Sequence, residues 1–433
     1  MLRLFNDLRF HRNMIGVVLL CVIATVAVTR IEAASLTDSK ALFNNLTSGY
    51  NKEMRPIHDQ DGVFTLKLDM YLLSIKDFDE VSGTLNVLGA FMVIWKDVSL
   101  VWDPSLYGGL NQLYVGQNHI WLPKLYNLKA SNQFSAILDP DMTVKIGYDG
   151  TVIWSPGGFF DVKCSPDVSY FPFDTQTCSI QLTAWGYTHT VIDLKTQKSE
   201  IYINFYETNG EWALDKTSTG TYLLGSYSIA TFNITISRLP AFHVVNTLMP
   251  IYLLLLMNPL VFVLPCDSGE RVGFSLTVFL TFTVFITIIN SVLPANSDSM
   301  SKLSYFIFIV LVVSGVIATI NILQLRMYHK DEDTPVPGWL AKLMRVFDCQ
   351  CRIRRRMVVV RPVHANKPCL EESLDKKERQ SPTEVEATNE MKTTEMTWKN
   401  VVHILDTFYT CLFYIIVIVF GITTTTLLYF GDK

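Results

Sequence analysis

Four apolar stretches of membrane-crossing length, roughly Phe242–Leu264, Val272–Val292, Leu303–Leu325 and His403–Tyr429, constrain this chain more than any other feature. About 20 apolar residues cross a bilayer as a helix, and hydrocarbon offers backbone groups no partner outside their own segment. Residues 241–327 and 398–433 are therefore expected to hold four membrane helices, three and then one. Arg3, Arg9 and Arg12 precede the apolar run Met14–Val28, with Ala33 and Ala34 beyond it, so residues 1–34 read as a signal peptide. A short N-terminal anchor is the alternative. With the signal removed, four spans leave both termini outside. The segment between the third and fourth spans carries Arg345, Arg352, Arg354, Arg355, Arg356 and Arg361, an excess that marks the cytoplasmic side.

The rest of the chain reads differently. From about Val63 to Arg238 it breaks into short β-rich runs: Phe64–Leu73, Thr84–Trp95, Thr143–Ile146, Val152–Trp154, Cys178–Trp185 and Tyr227–Ile236. Gly, Pro, Asn and Asp punctuate them, which predicts a β-sandwich over residues 35–240. A helix is expected first, within 35–52, where Leu36, Leu42, Phe43 and Leu46 recur at helical spacing. Residues 328–397 are polar, charged and aperiodic, and read as a mostly disordered linker ending in an amphipathic helix. A hydrophobic content of 49% suits such a half-aqueous, half-membrane chain, and a net charge of −4 gives no reason to expect nucleic acid as a partner. His58, His119, His189 and His243 are scattered, and no nucleophile–base set or metal-ligand spacing stands out. Neither enzymatic chemistry, a metal nor a cofactor is expected.

Cys164 and Cys178 are the only cysteines between the signal and the first span. A lone pair on the outer side implies one disulfide, closing a short loop worth roughly 3 kcal/mol in the chain-entropy view. The loop encloses Phe171-Pro172-Phe173-Asp174, so a surface rich in apolar side chains needs something apolar to dock on. An ordinary stapling bridge is the plainer reading. Cys-x13-Cys around Phe-Pro-Phe-Asp resembles the signature of the Cys-loop receptors, the pentameric ligand-gated ion channels. The resemblance runs from about Ser35 to Phe430. It is closest to the nicotinic-like, cation-conducting branch, of invertebrate type and without the adjacent cysteine pair of α subunits. It implies an immunoglobulin-like extracellular sandwich, a four-helix transmembrane bundle, a homo- or hetero-pentamer and a place in the plasma membrane, a postsynaptic one included. Asn45-Leu-Thr47 and Asn233-Ile-Thr235 are glycosylation sequons on the expected outer side.

The second span carries a stripe, Gly273, Thr277, Leu280, Val284, Thr287 and Ser291, at alternating steps of four and three. Small or polar ends around an apolar middle fit a water-filled pore that gates by dewetting, with Leu280 and Val284 as the gate. Hydroxyls that merely bond back to the backbone are the alternative. Asp267-Ser268-Gly269-Glu270-Arg271 resembles the inner pore mouth of cation-selective members. Five copies of Glu270 would ring that mouth with negative charge, whereas a helix-start carboxylate needs no such role. The Pro-Ala insertion of anion-conducting relatives is absent. Asn290 and Ser291 stand where cation channels often carry another acid.

In this family the agonist sits between subunits in a cage of aromatic rings, each adding about 0.5–2 kcal/mol of cation–π attraction. By resemblance, Trp185 is the central ring, and Tyr227 and Tyr222 belong to the capping loop, which is several residues short. The family's tyrosine position near Trp121-Leu-Pro123 falls on Leu128, with Tyr126 two residues earlier. On the complementary face Ala90 stands where an aromatic is usual, with Phe91 beside it. Acetylcholine is thus one candidate agonist among several and is expected to bind weakly or not at all. A small-molecule amine or a bulkier, more apolar molecule is the expected ligand, the larger one fitting Leu128 and Ala90 better, and a silent site is the alternative. The alternative is that Trp185 and Tyr227 are core aromatics. For coupling, the turn Asp77–Val81 resembles the membrane-facing turn, so Glu80 and Arg238 are expected to pair, with Val81 at its tip. Phe171 and Phe173 are expected to lie above the loop Pro294–Lys302, where Ser301 replaces a frequent proline. The leading reading is a cation-selective, ligand-gated channel subunit with permeant cations and membrane lipid as partners. The alternatives are a non-conducting or modulatory subunit without its own agonist, and an anion channel.

Overall fold

The computed structural model describes residues 34–134, 136–137, 141–295, 300–331, 334–356 and 396–431, apart from the side chains of 348–356. The expected signal peptide lies outside them except for Ala34, as does most of the linker before Trp398. The chain forms two compact units. One comprises the residues up to Asp167 together with Thr175–Leu239, and the other Val168–Asp174 together with Pro240–Lys433.

The first unit opens with α1 (Leu36–Thr47), whose start is held by a capping box. The Ser35 hydroxyl accepts from the Asp38 N–H while the Asp38 carboxylate accepts from the Ser35 N–H. Among the described residues eleven strands follow: β1 (Phe64–Asp79), β2 (Thr84–Val101), β3 (Gln112–Gly116), β4 (Leu125–Asn127), β5 (Thr143–Gly147), β6 (Asp149–Trp154), β7 (Gly157–Lys163), β8 (Thr175–Ala184), β9 (Ile192–Thr196), β10 (Trp212–Leu224) and β11 (Tyr227–Arg238). They make two sheets, one running β3-β5-β6-β2-β1-β9 with β7 also on β2, the other β10-β11-β8-β4. β2 serves two partners, pairing with β7 through Thr84–Ala90 and with β6 through Val93–Lys96. Buried and less buried residues alternate along it, as a sheet with one face on the core requires. The core between the sheets gathers Leu66, Leu68, Met70, Phe91, Trp154 and Phe232, all fully buried. This is the sandwich expected for residues 35–240.

The second unit contains α2 (Ala241–Val263), α3 (Arg271–Val292), α4 (Lys302–Tyr328), α5 (Gly338–Arg356) and α6 (Trp398–Phe430), of which α2, α3, α4 and α6 are long and apolar enough to cross a membrane. α2 is irregular: a π-helical turn covers Val244–Leu248 and a 3₁₀ stretch covers Asn258–Val263. Pro250 and Pro259 each remove a backbone N–H from that helix. Ser301 begins α4 as its N-cap, its hydroxyl accepting from the Leu303 N–H. A proline there would have no side chain to do so. α5 lies where the sequence reads as aperiodic linker. That reading is corrected for Gly338–Arg356: a cluster of basic residues hid the helical spacing of the apolar ones.

One buried contact ties the segment after α1 to the sheet and to the approach of β4. The Tyr50 hydroxyl donates to Asp97 Oδ2 at 2.6 Å and accepts from the Trp121 N–H at 3.1 Å. Burial pushes the Asp97 carboxyl above the usual carboxylate range, and burial together with Asp97 pushes the Tyr50 phenol upward. A carboxyl with a raised folded-state pKa binds its proton more readily folded than unfolded. Its contribution to stability therefore falls as pH rises from the unfolded pKa through the folded one. Tyr50→Phe removes a donor that favours the ionised form and should raise the folded pKa further. The expected deficit of about 1–3 kcal/mol is then full at neutral pH and shrinks toward acid. Melting temperatures of wild type and variant at about pH 7.5 and pH 4.5 check this; a deficit equal at both would exclude an ionised Asp97.

Candidate functional site

The register of the four-stranded sheet brings three aromatic rings to one end of it, and Phe134, from the connection between β4 and β5, adds a fourth. Thr183 pairs with Tyr126 of β4 on one side and Ile229 of β11 on the other. Two residues further along β8, and two back along β11, the same antiparallel register sets Trp185 against Tyr227. Their rings stack at 5.5 Å with planes 4° apart. Phe134 meets Trp185 edge-on at 5.1 Å and stacks on Tyr126 at 4.9 Å. Trp185 remains 48% exposed, so it is not a core aromatic. Half of the 5.5 Å spacing is less than van der Waals contact, about 3.5–4.0 Å. No ammonium group fits between the two stacked rings, and a cation can meet only an outward face. Phe134 is absent from the sequence reading; its signal was a lone aromatic in the polar run Ser131-Asn132-Gln133.

Other expected cage residues lie elsewhere. Leu128 is half-buried just past β4, its N–H bonded to the Gln181 carbonyl at 2.8 Å. Tyr222 lines a separate hollow of about 430 Å³ with Val63, His189, Asp193 and Lys195. The short capping loop is a hairpin turn of two residues, Gly225-Ser226, between β10 and β11, with Gly225 at φ +58°. So tight a turn cannot fold over a ligand as a long flap would. Phe91 is corrected: it is fully buried between Phe160, at 5.1 Å, and Phe232, at 5.3 Å, inside the sandwich. Period-two alternation decides this, because Ala90 faces outward and its neighbour must face the core.

Along α3 every residue of the stripe, Gly273, Thr277, Leu280, Val284, Thr287 and Ser291, is exposed, whereas Ser275, Val278, Phe282 and Ile289 are buried. Leu280 is 63% and Val284 52% exposed. The hydroxyls do bond back: Thr277 to the Gly273 carbonyl at 2.8 Å, Thr287 to Thr283 at 2.9 Å and Ser291 to Ile288 at 2.6 Å. Each hydroxyl proton is thereby committed to the helix and only oxygen lone pairs remain to face outward. Glu270 precedes the helix, exposed, and its side chain makes no capping bond. Arg271 turns the opposite way. It is buried, donating to the carbonyls of Leu264 at 2.6 Å and Phe262 at 2.9 Å, and pairing with Asp406 of α6 at 2.8 Å.

Within the sandwich unit, Glu80 and Arg238 pair as expected. Arg238 is 1% exposed at the side chain, and its guanidinium lies over the Trp212 ring at 4.3 Å. Val81 is exposed at the turn between β1 and β2. Gly83 ends that turn at φ +64°, where a Cβ would come within 2.7 Å of the Cys164 carbonyl oxygen. Cys164 and Cys178 are disulfide-bonded. Within the helical unit, Phe171 meets His243 of α2 edge-on at 4.9 Å, and Phe173 meets Tyr429 of α6 at 5.7 Å. Lys302 donates its N–H to the Ser169 carbonyl at 3.0 Å and sets its ammonium over Tyr170. Ser169 and Tyr170, more than the two phenylalanines, thus meet the start of α4; residues 296–299 lie outside the described ones. Asn45 is exposed on α1, donating to the Tyr107 hydroxyl at 3.0 Å, while Asn233 is half-buried in β11 and donates to Ser218 at 3.1 Å. Among the described residues no cluster of His, Cys, Asp or Glu could hold a metal ion.

Comparison with known proteins follows the same division of the chain. Residues 39–240 match the model of the neurotransmitter-gated ion-channel ligand binding domain, and 247–366 match the neurotransmitter-gated ion-channel transmembrane region. The chain is 28% identical over 331 residues to the rat neuronal acetylcholine receptor subunit alpha-2, covering 74% of this chain and 64% of that one. It is 30% identical over 335 residues to the chicken neuronal subunit alpha-9, covering 73% and 68%. It is also 30% identical over 329 residues to the acetylcholine receptor subunit alpha-L1 of Schistocerca gregaria, covering 72% and 58%. The chain thus spans about two thirds or less of the length of these relatives.

The Glu80–Arg238 pair is open to a direct test. Removing one partner of a buried pair strands the other charge and costs about 3–5 kcal/mol. Arg238→Gln should therefore melt well below wild type in detergent, and adding Glu80→Gln should recover part of the loss. Strictly additive losses would show that the two charges do not act together.

Proposed function

Because the chain belongs to the neurotransmitter-gated ion-channel family, as a nicotinic-like Cys-loop subunit, we propose that it is a cation-selective, ligand-gated channel subunit. In this reading it assembles as a pentamer in the plasma membrane, and α3 lines the pore. The observation that carries the proposal is the unpartnered face of α3. A helix that leaves Gly273, Thr277, Leu280, Val284, Thr287 and Ser291 exposed while burying its other side has room for a ring of copies around water. Oxygen lone pairs along that face suit cations. The exposed Glu270 adds a negative ring at the inner mouth, and Arg271 adds no opposing charge there because Asp406 neutralises it. Leu280 and Val284 form the dewetting constriction. Opening follows ligand binding between subunits, with Trp185 and Tyr227 on one side of the site.

The ligand in this proposal is an amine or a bulkier, partly apolar molecule. Leu128 and Ala90 supply no ring, and two missing rings weaken a small quaternary ammonium by roughly tenfold or more. The two-residue turn at Gly225-Ser226 also leaves the site open at the top. The non-conducting alternative accounts for the reduced cage but not for a polar stripe matched to an acidic mouth. The domain limits that go with the proposal are a signal peptide over 1–34, a ligand-binding domain over 35–240, three membrane helices over 241–327, a cytoplasmic linker over 328–397 and the fourth helix with a short tail over 398–433. The glycosylation sites are Asn45 and Asn233, with Asn45 the more open.

Three measurements follow. Reversal potentials of open channels, formed by this chain alone or with a relative, should track sodium and ignore chloride. Glu270→Gln should lower single-channel cation conductance roughly several-fold, in line with focusing by a charged ring. Reversal at the chloride potential would overturn the selectivity. Leu280→Thr should wet the gate, giving constitutive current and a left-shifted response at unchanged surface expression. Unchanged gating would move the constriction elsewhere.

A further inference from the structure

The ring missing at Ala90 has a neighbour that can replace it. Ala90 of β2 pairs directly with Tyr71 of β1 on one side and Gly157 of β7 on the other. Residues paired across antiparallel strands point to the same face. That face is the outer one, because Met70 and Phe91, the next residues along each strand, are fully buried. The Tyr71 ring stacks on Tyr202 at 4.6 Å with planes 15° apart, and Phe205 lies 6.5 Å away. Phe205 is 68% exposed. Gly157 adds no side chain beyond Ala90, so the surface there is a shallow floor with a wall of two rings.

The segment carrying Tyr202 is held like an extra strand. The Tyr202 N–H donates to the Met70 carbonyl at 2.8 Å, and the Leu72 N–H donates to the Tyr202 carbonyl at 2.9 Å. Further along, the Glu207 N–H donates to the Leu73 carbonyl at 2.8 Å. At its start, Asp69 Oδ1 accepts from the N–H groups of Gln197 and Lys198 at 3.1 and 3.2 Å. Neither ring therefore has to be ordered when something binds, which removes a usual cost of recognition.

We propose that Tyr71 and Tyr202 form the aromatic wall that this chain contributes on the complementary side of the ligand site, in place of a ring at position 90. The inference rests on the reading above, in which Trp185 of one copy faces the Ala90 surface of the next. It deepens that reading by naming the ligand class. The wall lies one strand away from position 90 and Ala90 adds only a methyl group, so the site is widened between its two aromatic sides. It takes a cationic amine that also carries a flat apolar group, the cation against Trp185 and the flat group against Tyr71 and Tyr202.

Dansylcholine, a quaternary ammonium bearing a fluorescent bicyclic ring, tests this on the full-length assembled chain in detergent. Fluorescence enhancement should saturate with the wild type and be lost in Trp185→Ala. Tyr71→Leu and Tyr202→Ala should each raise the apparent Kd about three- to tenfold, and Tyr71→Phe should leave it within about twofold. Ala90→Trp placed in the Tyr71→Leu background should restore tight binding, a rescue that a merely structural role for Tyr71 would not allow. Loss in Trp185→Ala with unchanged binding in both tyrosine variants would overturn this inference and leave the underlying site standing. No enhancement with the wild type, or enhancement indifferent to Trp185→Ala, would overturn the amine site and this inference with it.

Discussion

The buried Arg271 organises the helical unit. A guanidinium inside a membrane bundle is costly unless its charge is paired and its donors are satisfied. Here the carbonyls of Phe262 and Leu264 at the end of α2, the Cys266 sulfur and the Asp406 carboxylate of α6 surround it. Those carbonyls are free because the backbone after Asn258 tightens into a 3₁₀ stretch and then leaves the helix. One side chain thus joins the end of α2, the start of α3 and the first third of α6. It also decides which charge faces outward: with Arg271 drawn in, the adjacent Glu270 is the ionisable group left exposed at the head of α3.

The sandwich unit shows the same economy of means at its ring cluster. Of the rings Tyr126, Phe134, Trp185 and Tyr227, only Phe134 comes from a long connection, the one between β4 and β5. Three strands in one register gather the others, because β4, β8 and β11 meet around Thr183. Rings set by a sheet are stiff, and the hairpin turn at Gly225 adds no mobile cover. The Tyr71–Tyr202 pair on the outer face of the larger sheet is held in the same way, by backbone bonds between its two segments. The Glu80–Arg238 pair, backed by Trp212, holds the turn between β1 and β2 to the end of β11. It fixes the last residue of the sandwich before the chain continues into α2.

Much of this was legible in the residues themselves. Apolar length and the bilayer's demand for internal hydrogen bonding determined the four spans. Short β-rich runs cut by turn residues pointed to the sandwich and to β1, β2, β5, β6, β8 and β11, while β3, β4, β7, β9 and β10 were not among those runs. Compartment with cysteine count pointed to the Cys164–Cys178 bridge. The spacing of Gly273 through Ser291 determined which side of α3 would be left without partners, since a helix repeats every 3.6 residues whatever surrounds it. These are local properties, carried by a chain segment and its solvent.

What only the tertiary structure decided involves residues far apart in sequence. Phe91 belongs to the core and Ala90 to the outer face because strand pairing with β1 and β7 sets which way each points, and a one-residue slip exchanges them. Phe134 joins Trp185, and Tyr202 joins Tyr71, across separations no periodicity encodes. The same holds for Arg271, whose partner Asp406 lies well over a hundred residues later in the chain. Motif and periodicity report what a segment is. Which neighbours satisfy its polar atoms and rings is a matter of packing, and packing is settled only when the whole chain has folded.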